Sequence, residues 1–396
     1  MRKSHFLAAV VFLMIFLLCV SIFAVNTARI DVVRSKETLA DSDTGVIEEF
    51  LTDAFNEFLA KIDFSDIASL RNTIVSRSSS VRPSGQFQYG PRFFTAAQKQ
   101  ITEIFSKISQ MPDGQRKQLL TMNLLILISD FNNVEASKVA FDYLQSPDVM
   151  IRYWAVNCLT NSNMLSQLNM TESAENKRLA EQFVQKLQAV AQTEQSGDIL
   201  ILLSQFASGL KLKLPAANEI LNEIAQKRIN LYLNWQVKDE MVENWTLKAL
   251  AERSQNDPES NSVTAKNFAI LYSLVIQRYA LGQETLPQNN LRNLASVIVQ
   301  TEKSSLPRFI PDWMVGNLKK AIDKGSAVLL AESDSLFGSA NAAGKLPTAA
   351  KFDYGKNPDG SVKTAPPTLQ KPPKAEKQSE KKLEKQPEET AVEPNQ

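Results

Sequence analysis

Apolar residues return every three or four positions through most of this chain, which is the spacing of one face of an α-helix. Short breaks that contain proline or glycine, such as Pro112-Asp113-Gly114, separate the apolar stripes. The first long stripe lies between residues 43 and 62 and contains Ile47, Phe50, Leu51, Ala54, Phe55, Phe58, Leu59 and Ile62. Because alternating β-branched segments are rare, the pattern predicts an all-α protein.

The stretch from Gln115 to Asp130 is apolar on almost every side. A helix with no polar face belongs in the interior of a protein. The apolar run is much shorter than the roughly 20 residues that a helix needs to cross a bilayer. We therefore expect a central buried helix here.

Residues 134–160 contain two helical stripes that are joined at Ser146-Pro147-Asp148. Proline disfavours helix at the residue before it, and Asp148 can accept hydrogen bonds from the first amides of a following helix. The second stripe contains Ile151, Trp154, Ala155, Cys158 and Leu159. The segment therefore predicts a pair of short helices with a tight turn between them.

The second helix of this pair resembles the second helix of HEAT/armadillo-like repeats. The matching residues are an acidic cap, an aliphatic-arginine pair, a small residue and a leucine, namely Asp148, Ile151, Arg152, Ala155 and Leu159. The resemblance implies an α-solenoid-like array. In such arrays stacked helix pairs bury a continuous core and form an extended concave binding surface.

The segment Asp239–Leu250 aligns without gaps on Asp148–Leu159, and a fainter copy begins at Asp198 and includes Phe206. The alignment predicts that Trp154 and Trp245 occupy equivalent buried positions in two repeats. Both further copies lack the arginine, and Glu243 stands in its place in the copy at Asp239. This departure leaves open whether the repeats are HEAT repeats or another helical array.

The composition changes along the chain predict its division. Residues 43–109 are expected to form an N-terminal helical region with a surface loop at 77–91, and residues 110–332 the helical-repeat array. Beyond residue 336 glycine, alanine, serine, proline and lysine replace the apolar stripes, and residues 370–396 are nearly all lysine, glutamate, glutamine and proline. Such a composition buries too little apolar surface to offset the entropy of ordering, so residues 336–396 are expected to be a disordered tail.

The N-terminal residues 1–28 have the composition of a signal peptide or a membrane anchor. Arg2 and Lys3 precede Phe6–Val25, twenty residues that are almost entirely apolar and long enough to span a bilayer as a helix. The positions around Ala24 and Ala28 are poor cleavage sites, which favours an anchor. In either case the remainder of the chain is expected to be exported, to the periplasm or cell envelope if the source is bacterial.

Few residues with catalytic chemistry are present. The single histidine, His5, and one of the two cysteines, Cys19, lie in the leader, and Cys158 lies on an apolar helical face as a core residue would. The exported part has no histidine for acid–base chemistry, and we find no phosphate-loop, serine-elbow, zinc or calcium motif. No cofactor or metal is therefore expected. The net charge of +1 gives no reason to expect nucleic acid as a partner.

The sequence favours a scaffold that binds another protein and is tethered to the membrane through its N-terminal helix. Two other functions stay open: a carboxylate-dependent all-α hydrolase or lyase, and a structural component of the envelope. The basic and aromatic loop at 77–91 is the candidate contact. Its candidate binding residues are Arg82, Phe87, Tyr89 and Arg92.

Overall fold

The computed structural model describes residues 25–81, 87–170, 173–211, 214–256 and 261–372. Helices form nearly all the regular structure of these residues, and the two strands have two residues each, which confirms the all-α class. The chain divides into two compact units. The first unit holds the described residues up to Lys227 together with Val242–Phe268, and the second holds Arg228–Met241 and the described residues from Ala269 onward.

The first unit contains most of the helices. They are α1 (Ala28–Ser35), α2 (Asp41–Ala60), α3 (Phe64–Val75), α4 (Tyr89–Ser109), α5 (Gln115–Phe131), α6 (Val134–Ser137) with the 3₁₀ helix Lys138–Tyr143, α7 (Val149–Thr160), α8 (Ser162–Asn169), α9 (Ala174–Thr193), α10 (Gly197–Gly209) and α12 (Val242–Asn256). Two longer helices, α11 (Pro215–Leu233) and α13 (Asn261–Leu281), contribute residues to both units.

The second unit adds the C-terminal elements. They are α14 (Gln288–Ser304), α15 (Leu306–Phe309), α16 (Asn317–Lys324), α17 (Ser326–Phe337), the antiparallel strands β1 (Gly338–Ser339) and β2 (Ala342–Ala343), and α18 (Lys345–Ala350). The buried carboxylate of Glu302 in α14 accepts hydrogen bonds from the backbone N–H of Leu318 (2.9 Å) and the indole of Trp313 (3.2 Å). It thereby satisfies a free amide at the start of α16, which packs on α14.

Helix α2 follows the predicted stripe. Its buried face contains Ile47, Phe50, Leu51, Ala54, Phe55 and Phe58, and it packs on α1, α3 and α4. At its start the carboxylate of Asp43 accepts hydrogen bonds from the backbone N–H of Ala40 (2.9 Å) and the ammonium group of Lys36 (2.6 Å). Ile62, predicted on the same stripe, lies beyond the end of the helix and is 75% exposed.

Helix α5 is the central buried helix that the sequence predicts. Every residue from Asn123 to Ser129 is buried, and the helix packs on α3, α4, α6 and α7. Its one fully buried amide, Asn123, accepts a hydrogen bond from Arg71 (3.0 Å) and donates one to the carbonyl of Leu119 (2.9 Å). Both ends of this amide are therefore paired, as a buried polar group requires.

The pair of helices at residues 134–160 forms around the predicted turn. Asp148 accepts hydrogen bonds from the backbone N–H groups of Met150 (2.8 Å) and Ile151 (3.3 Å), which confirms it as the cap of α7. Cys158 is fully buried, as predicted, and its thiol donates to the carbonyl of Leu125 (3.0 Å). Along the chain, α5 packs on α7, α7 on α10, and α10 on α12.

The structure differs from the predicted disordered tail over residues 336–372, which fold onto the second unit. Leu346, Tyr354 and Leu369 are buried, and the Tyr354 hydroxyl donates to the carbonyl of Phe337 (2.9 Å). Gly338 has φ of 111°, and a Cβ at this position would lie 1.9 Å from the carbonyl oxygen of Thr364. These apolar residues stand alone in polar sequence, so hydrophobic periodicity does not reveal them. The rest of the predicted tail, 373–396, lies outside the described residues.

The predicted leader, 1–28, lies outside the described residues as far as residue 24, and α1 begins at Ala28. Of the helices in the described ranges, none combines the length and the apolar character that crossing a membrane requires.

Candidate binding surface

Three helices of the first unit, α7, α10 and α12, bury side chains in the same register. We number the positions of the three helices from Ile151, Ile199 and Val242. In each helix the residues at positions one, five, six, eight and nine are buried. They are Ile151, Ala155, Val156, Cys158 and Leu159 in α7; Ile199, Leu203, Ser204, Phe206 and Ala207 in α10; and Val242, Thr246, Leu247, Ala249 and Leu250 in α12. Because α10 packs on both α7 and α12, the three helices present equivalent faces to one another and to the core.

The fourth position of this register carries a large apolar side chain in all three helices and stays accessible to solvent. Trp154 in α7 and Leu202 in α10 are half-buried, and Trp245 in α12 is 41% exposed. We call these three residues the Trp-Leu-Trp row. A helix turns by about 100° per residue, so this position lies about 60° from the first buried residue, on the side away from the core.

The prediction that Trp154 and Trp245 are buried is therefore wrong, although their equivalence in the helical register holds. The spacing of three residues between Ile151 and Trp154 suits a shared face, but the centre of the buried face lies toward Ala155 and Leu159. Periodicity alone does not separate the middle of an apolar stripe from its edge. The tryptophans lie at the edge.

The solvent-accessible positions next to the row carry both apolar and polar side chains. Tyr153 and Ile201 are half-buried at the position before the row, and the Tyr153 and Trp154 rings meet edge to face at 5.5 Å. At the seventh position Asn157 and Gln205 are half-buried and Lys248 is exposed. An apolar centre with a polar border is the usual anatomy of a protein-binding surface.

An ion pair holds α7 to the chain just before α10. The Arg152 guanidinium donates two hydrogen bonds to the Glu194 carboxylate, from Nε to Oε2 (2.8 Å) and from Nη2 to Oε1 (3.0 Å). Oε1 also accepts the backbone N–H groups of Gln195 and Ser196, both at 2.9 Å. Burial alone raises the pKa of Glu194, but Arg152 and these two amides outweigh it, so the pKa lies below its ordinary value.

A second polar contact joins α10 to α12. The hydroxyl groups of Ser204 and Thr246 lie 3.3 Å apart in the buried interface between the two helices. Together with the ion pair of Arg152 and Glu194, this contact fixes the three helices in one arrangement. The row is therefore presented by helices rather than by loops, so its side chains stand on a fixed scaffold.

The candidate loop residues have different environments. Arg82 lies outside the described residues, and Phe87 is 79% exposed. Tyr89 is fully buried and donates its hydroxyl to the carbonyl of Arg77 (2.8 Å), and burial raises its pKa. Arg92 donates to the carbonyl of Ala40 and the hydroxyl of Thr44, both at 3.0 Å. Of the described three, only Phe87 is largely exposed.

The loop is also shorter than predicted, because α4 begins at Tyr89 rather than near residue 93. The Gly90-Pro91 pair that suggests a loop lies in the first turn of the helix, where proline is tolerated because its missing N–H would have no partner.

Leu202 does not stand out in the sequence, because an alignment of Asp198 on Asp148 places Ser204 rather than Leu202 at the position of Trp154. The residue equivalent to Asp148 is Ser196, two positions earlier. With that register Ile199 aligns on Ile151 and Leu202 on Trp154. The repeated spacing of buried residues is a signal that the sequence contains, but only a comparison of all three helices makes it visible.

The row offers apolar contact and carries no nucleophile, acid or base. Within the described part of the chain, no three histidine, cysteine, aspartate or glutamate residues are grouped as a metal ion would require. Comparison of the chain with protein-family models, with curated proteins and with solved structures finds no match. The geometry of the site therefore carries the functional argument.

Proposed function

We propose that this protein is an exported, membrane-tethered HEAT-like scaffold, an α-solenoid-like array that binds a protein partner through the Trp-Leu-Trp row. The observation that carries the proposal is the recurrence of an accessible, large apolar residue at one register position of three neighbouring helices, Trp154, Leu202 and Trp245. Arrays of helical repeats form extended surfaces of this kind from equivalent positions of successive repeats.

Tryptophan at an accessible position is itself informative. Exposed tryptophan leaves a large apolar area in water, and tryptophan is enriched among the residues that dominate the energetics of protein interfaces. A tryptophan whose only role was to stabilise the fold would contribute more to the free energy of folding at one of the buried positions of the same helix. The row is therefore best explained by a partner that covers it.

The membrane part of the proposal rests on the sequence of residues 1–25. Arg2 and Lys3 ahead of the apolar run Phe6–Val25 favour a helix whose N-terminus stays inside and whose following chain is exported. A tether keeps the row near the membrane and raises its effective concentration toward partners in the same layer.

Site-specific photo-crosslinking in the native host tests the proposal. A photoreactive phenylalanine analogue at Leu202 is expected to capture one discrete protein, and the same probe at Gln185, an exposed residue of α9, is expected to capture none. Trp245→Ala should reduce the yield at Leu202 at least about tenfold, because truncation of a tryptophan that acts as an interface hot spot costs about 2 kcal/mol or more.

Two outcomes would contradict the proposal. Equal capture of proteins by the probes at Leu202 and Gln185 would show that the row is not the binding surface. A turnover activity that disappears when one or two carboxylates are neutralised, with the fold intact, would instead favour the hydrolase or lyase alternative.

A further inference from the structure

The second unit contains a segment of the chain that is bound as an extended peptide. Residues 365–371 form neither helix nor strand, and the carbonyl of Pro367 and the N–H of Leu369 contact Gln277 of α13. Prolines 366 and 367 have no N–H to donate and favour extended backbone at the residues before them. Leu369 is the one buried side chain of Pro366–Gln370, with 2% exposure.

The side chain of Gln277 recognises the backbone of this segment in both directions. Its Oε1 accepts the N–H of Leu369 (2.6 Å), and its Nε2 donates to the carbonyl of Pro367 (3.2 Å). The same Nε2 donates to the hydroxyl of Ser273 (2.9 Å), one turn earlier on α13, which fixes the orientation of the amide. Gln277 thus binds two backbone groups that an extended peptide of almost any sequence offers.

Trp235 provides the third contact, since its indole N–H donates to the carbonyl of Gln370 (2.9 Å). The backbone of Trp235 has φ of 58°, in the left-handed region. Trp235 N–H donates to Tyr232 O (3.0 Å) and Gln236 N–H to Leu231 O (2.8 Å), the pair of bonds that ends a helix with a left-handed residue.

Glycine is the usual residue at that position, because a side chain there is strained. Strained residues persist mainly where they serve a site. Tryptophan in place of glycine therefore points to a use for the indole. The indole N–H makes its hydrogen bond with the segment, and the Arg278 guanidinium lies over the indole ring at 5.2 Å.

The segment does not fill the space around it. One cleft of about 470 Å³ borders residues 365–371 on the side of Leu330 and Asp334, and another of about 390 Å³ borders residues 364–367 on the side of Tyr354. Small residues of the segment, Ala365 and Thr368, line these clefts. A peptide with the same backbone path and larger side chains would find additional contacts here.

We infer that the face of α13 around Gln277, together with Trp235, is a binding site for an extended, proline-containing peptide segment of a partner protein, and that residues 365–371 are its displaceable resident ligand. The ligand class is Pro-Pro-x-Leu or a close analogue: two residues without N–H groups, a backbone N–H two positions later, and an aliphatic anchor. This site shares no residue with the Trp-Leu-Trp row, so either assignment can fail without the other.

Peptide binding to the full-length chain tests the inference. The probe is a fluorescein-labelled peptide with the sequence of residues 364–372, and the matched control peptide carries aspartate in place of the leucine. The resident segment is tethered at high effective concentration and competes with the probe in the wild type. Leu369→Asp in the protein should release it, and the probe should then bind at least about tenfold more tightly than to the wild type.

Combining Leu369→Asp with Gln277→Ala should abolish probe binding. Trp235→Phe, which keeps an aromatic ring but removes the N–H donor, should weaken it. Equal binding of the probe and control peptides, or no binding to a folded Leu369→Asp chain, would overturn the inference. A wild type that light scattering shows to be a dimer, and that Leu369→Asp converts to a monomer, would also overturn it, because the occupant would then be a second copy.

Hydrogen exchange on the wild type makes the test independent of any substitution. Saturating probe peptide should displace the resident segment and remove the protection of the Leu369 amide, whereas the control peptide should leave that protection unchanged. If the probe peptide binds but the protection of the Leu369 amide does not change, the peptide binds elsewhere. That result would refute the site around Gln277.

Discussion

The guanidinium of Arg152 and the carboxylate of Glu194 form a two-bond ion pair that ties α7 to the first residues before α10, with the Glu194 side chain only 1% exposed. Arg152 is one of the five residues on which the resemblance of this segment to a HEAT-like second helix rests. It stabilises the contact between consecutive parts of the chain. It also donates to the carbonyl of Ser146 (2.8 Å), in the turn before its own helix.

Removal of Arg152 is expected to destabilise the first unit strongly. Arg152→Ala leaves a buried carboxylate whose remaining partners are backbone amides, and removal of one partner of a buried pair costs on the order of 3 kcal/mol or more. Arg152→Lys should recover only part of this, because an ammonium group cannot reproduce the two parallel bonds. Urea unfolding of both variants measures the difference, and a near-neutral Arg152→Ala would contradict this role.

The same pair predicts a dependence of stability on pH. The pKa of Glu194 is lowered from its ordinary value of 4.5 in the folded chain, so its contribution to stability is complete above that value. As the pH falls through the lowered pKa, the folded state loses the charge and the contribution disappears. The melting temperature of the wild type should therefore exceed that of Glu194→Gln at neutral pH, and the gap should narrow below about pH 4.5. A gap that stays constant down to pH 3 would argue against the pair.

Truncations in α12 should distinguish the accessible row from the core. Trp245→Ala removes a side chain that is 41% exposed and should cost less than the 3–5 kcal/mol typical of a buried tryptophan. Leu247→Ala, two residues along, removes a fully buried side chain and should cost about 2–5 kcal/mol. Thermal unfolding of the two variants gives the order directly. A larger loss of stability for Trp245→Ala than for Leu247→Ala would indicate that the Trp245 side chain belongs to the core.

The thiol of Cys158 should be inert in the folded protein. It is fully buried, and burial raises the pKa of the thiol, so neither access nor thiolate formation favours reaction. Iodoacetamide at pH 8 should leave the peptide that contains Cys158 unmodified in the native chain and modify it in guanidinium chloride. Mass spectrometry of the digested protein measures both states, and rapid modification of the native chain would mean that α7 opens easily.

The sequence predicts the helices well and the surfaces poorly, for one physical reason. A buried helix face requires apolar residues at regular spacing, and this spacing is visible in the sequence. The positions of α2 and α5 and the cap at Asp148 could therefore be predicted. A binding surface depends on which edge of a stripe faces solvent, and Trp154 and Trp245 lie at that edge. Contacts between residues that are distant in sequence produce no periodic pattern. Neither the burial of Leu369 nor the hydrogen bonds of Gln277 with residues 365–371 could therefore be predicted.

The two units also differ in the order in which the chain can form them. The contacts between Arg152 and Glu194 and between Ser204 and Thr246, which join α7, α10 and α12, each span 42 positions, and shorter separations favour earlier formation. The hydrogen bond between Trp235 and Gln370 instead joins residues 135 positions apart. A chain synthesised from its N-terminus can complete the early helices while the binding face of α13 still awaits residues 365–371. During that interval the segment does not cover the face, so each newly made molecule passes once through a state in which the proposed peptide ligand would meet no competitor.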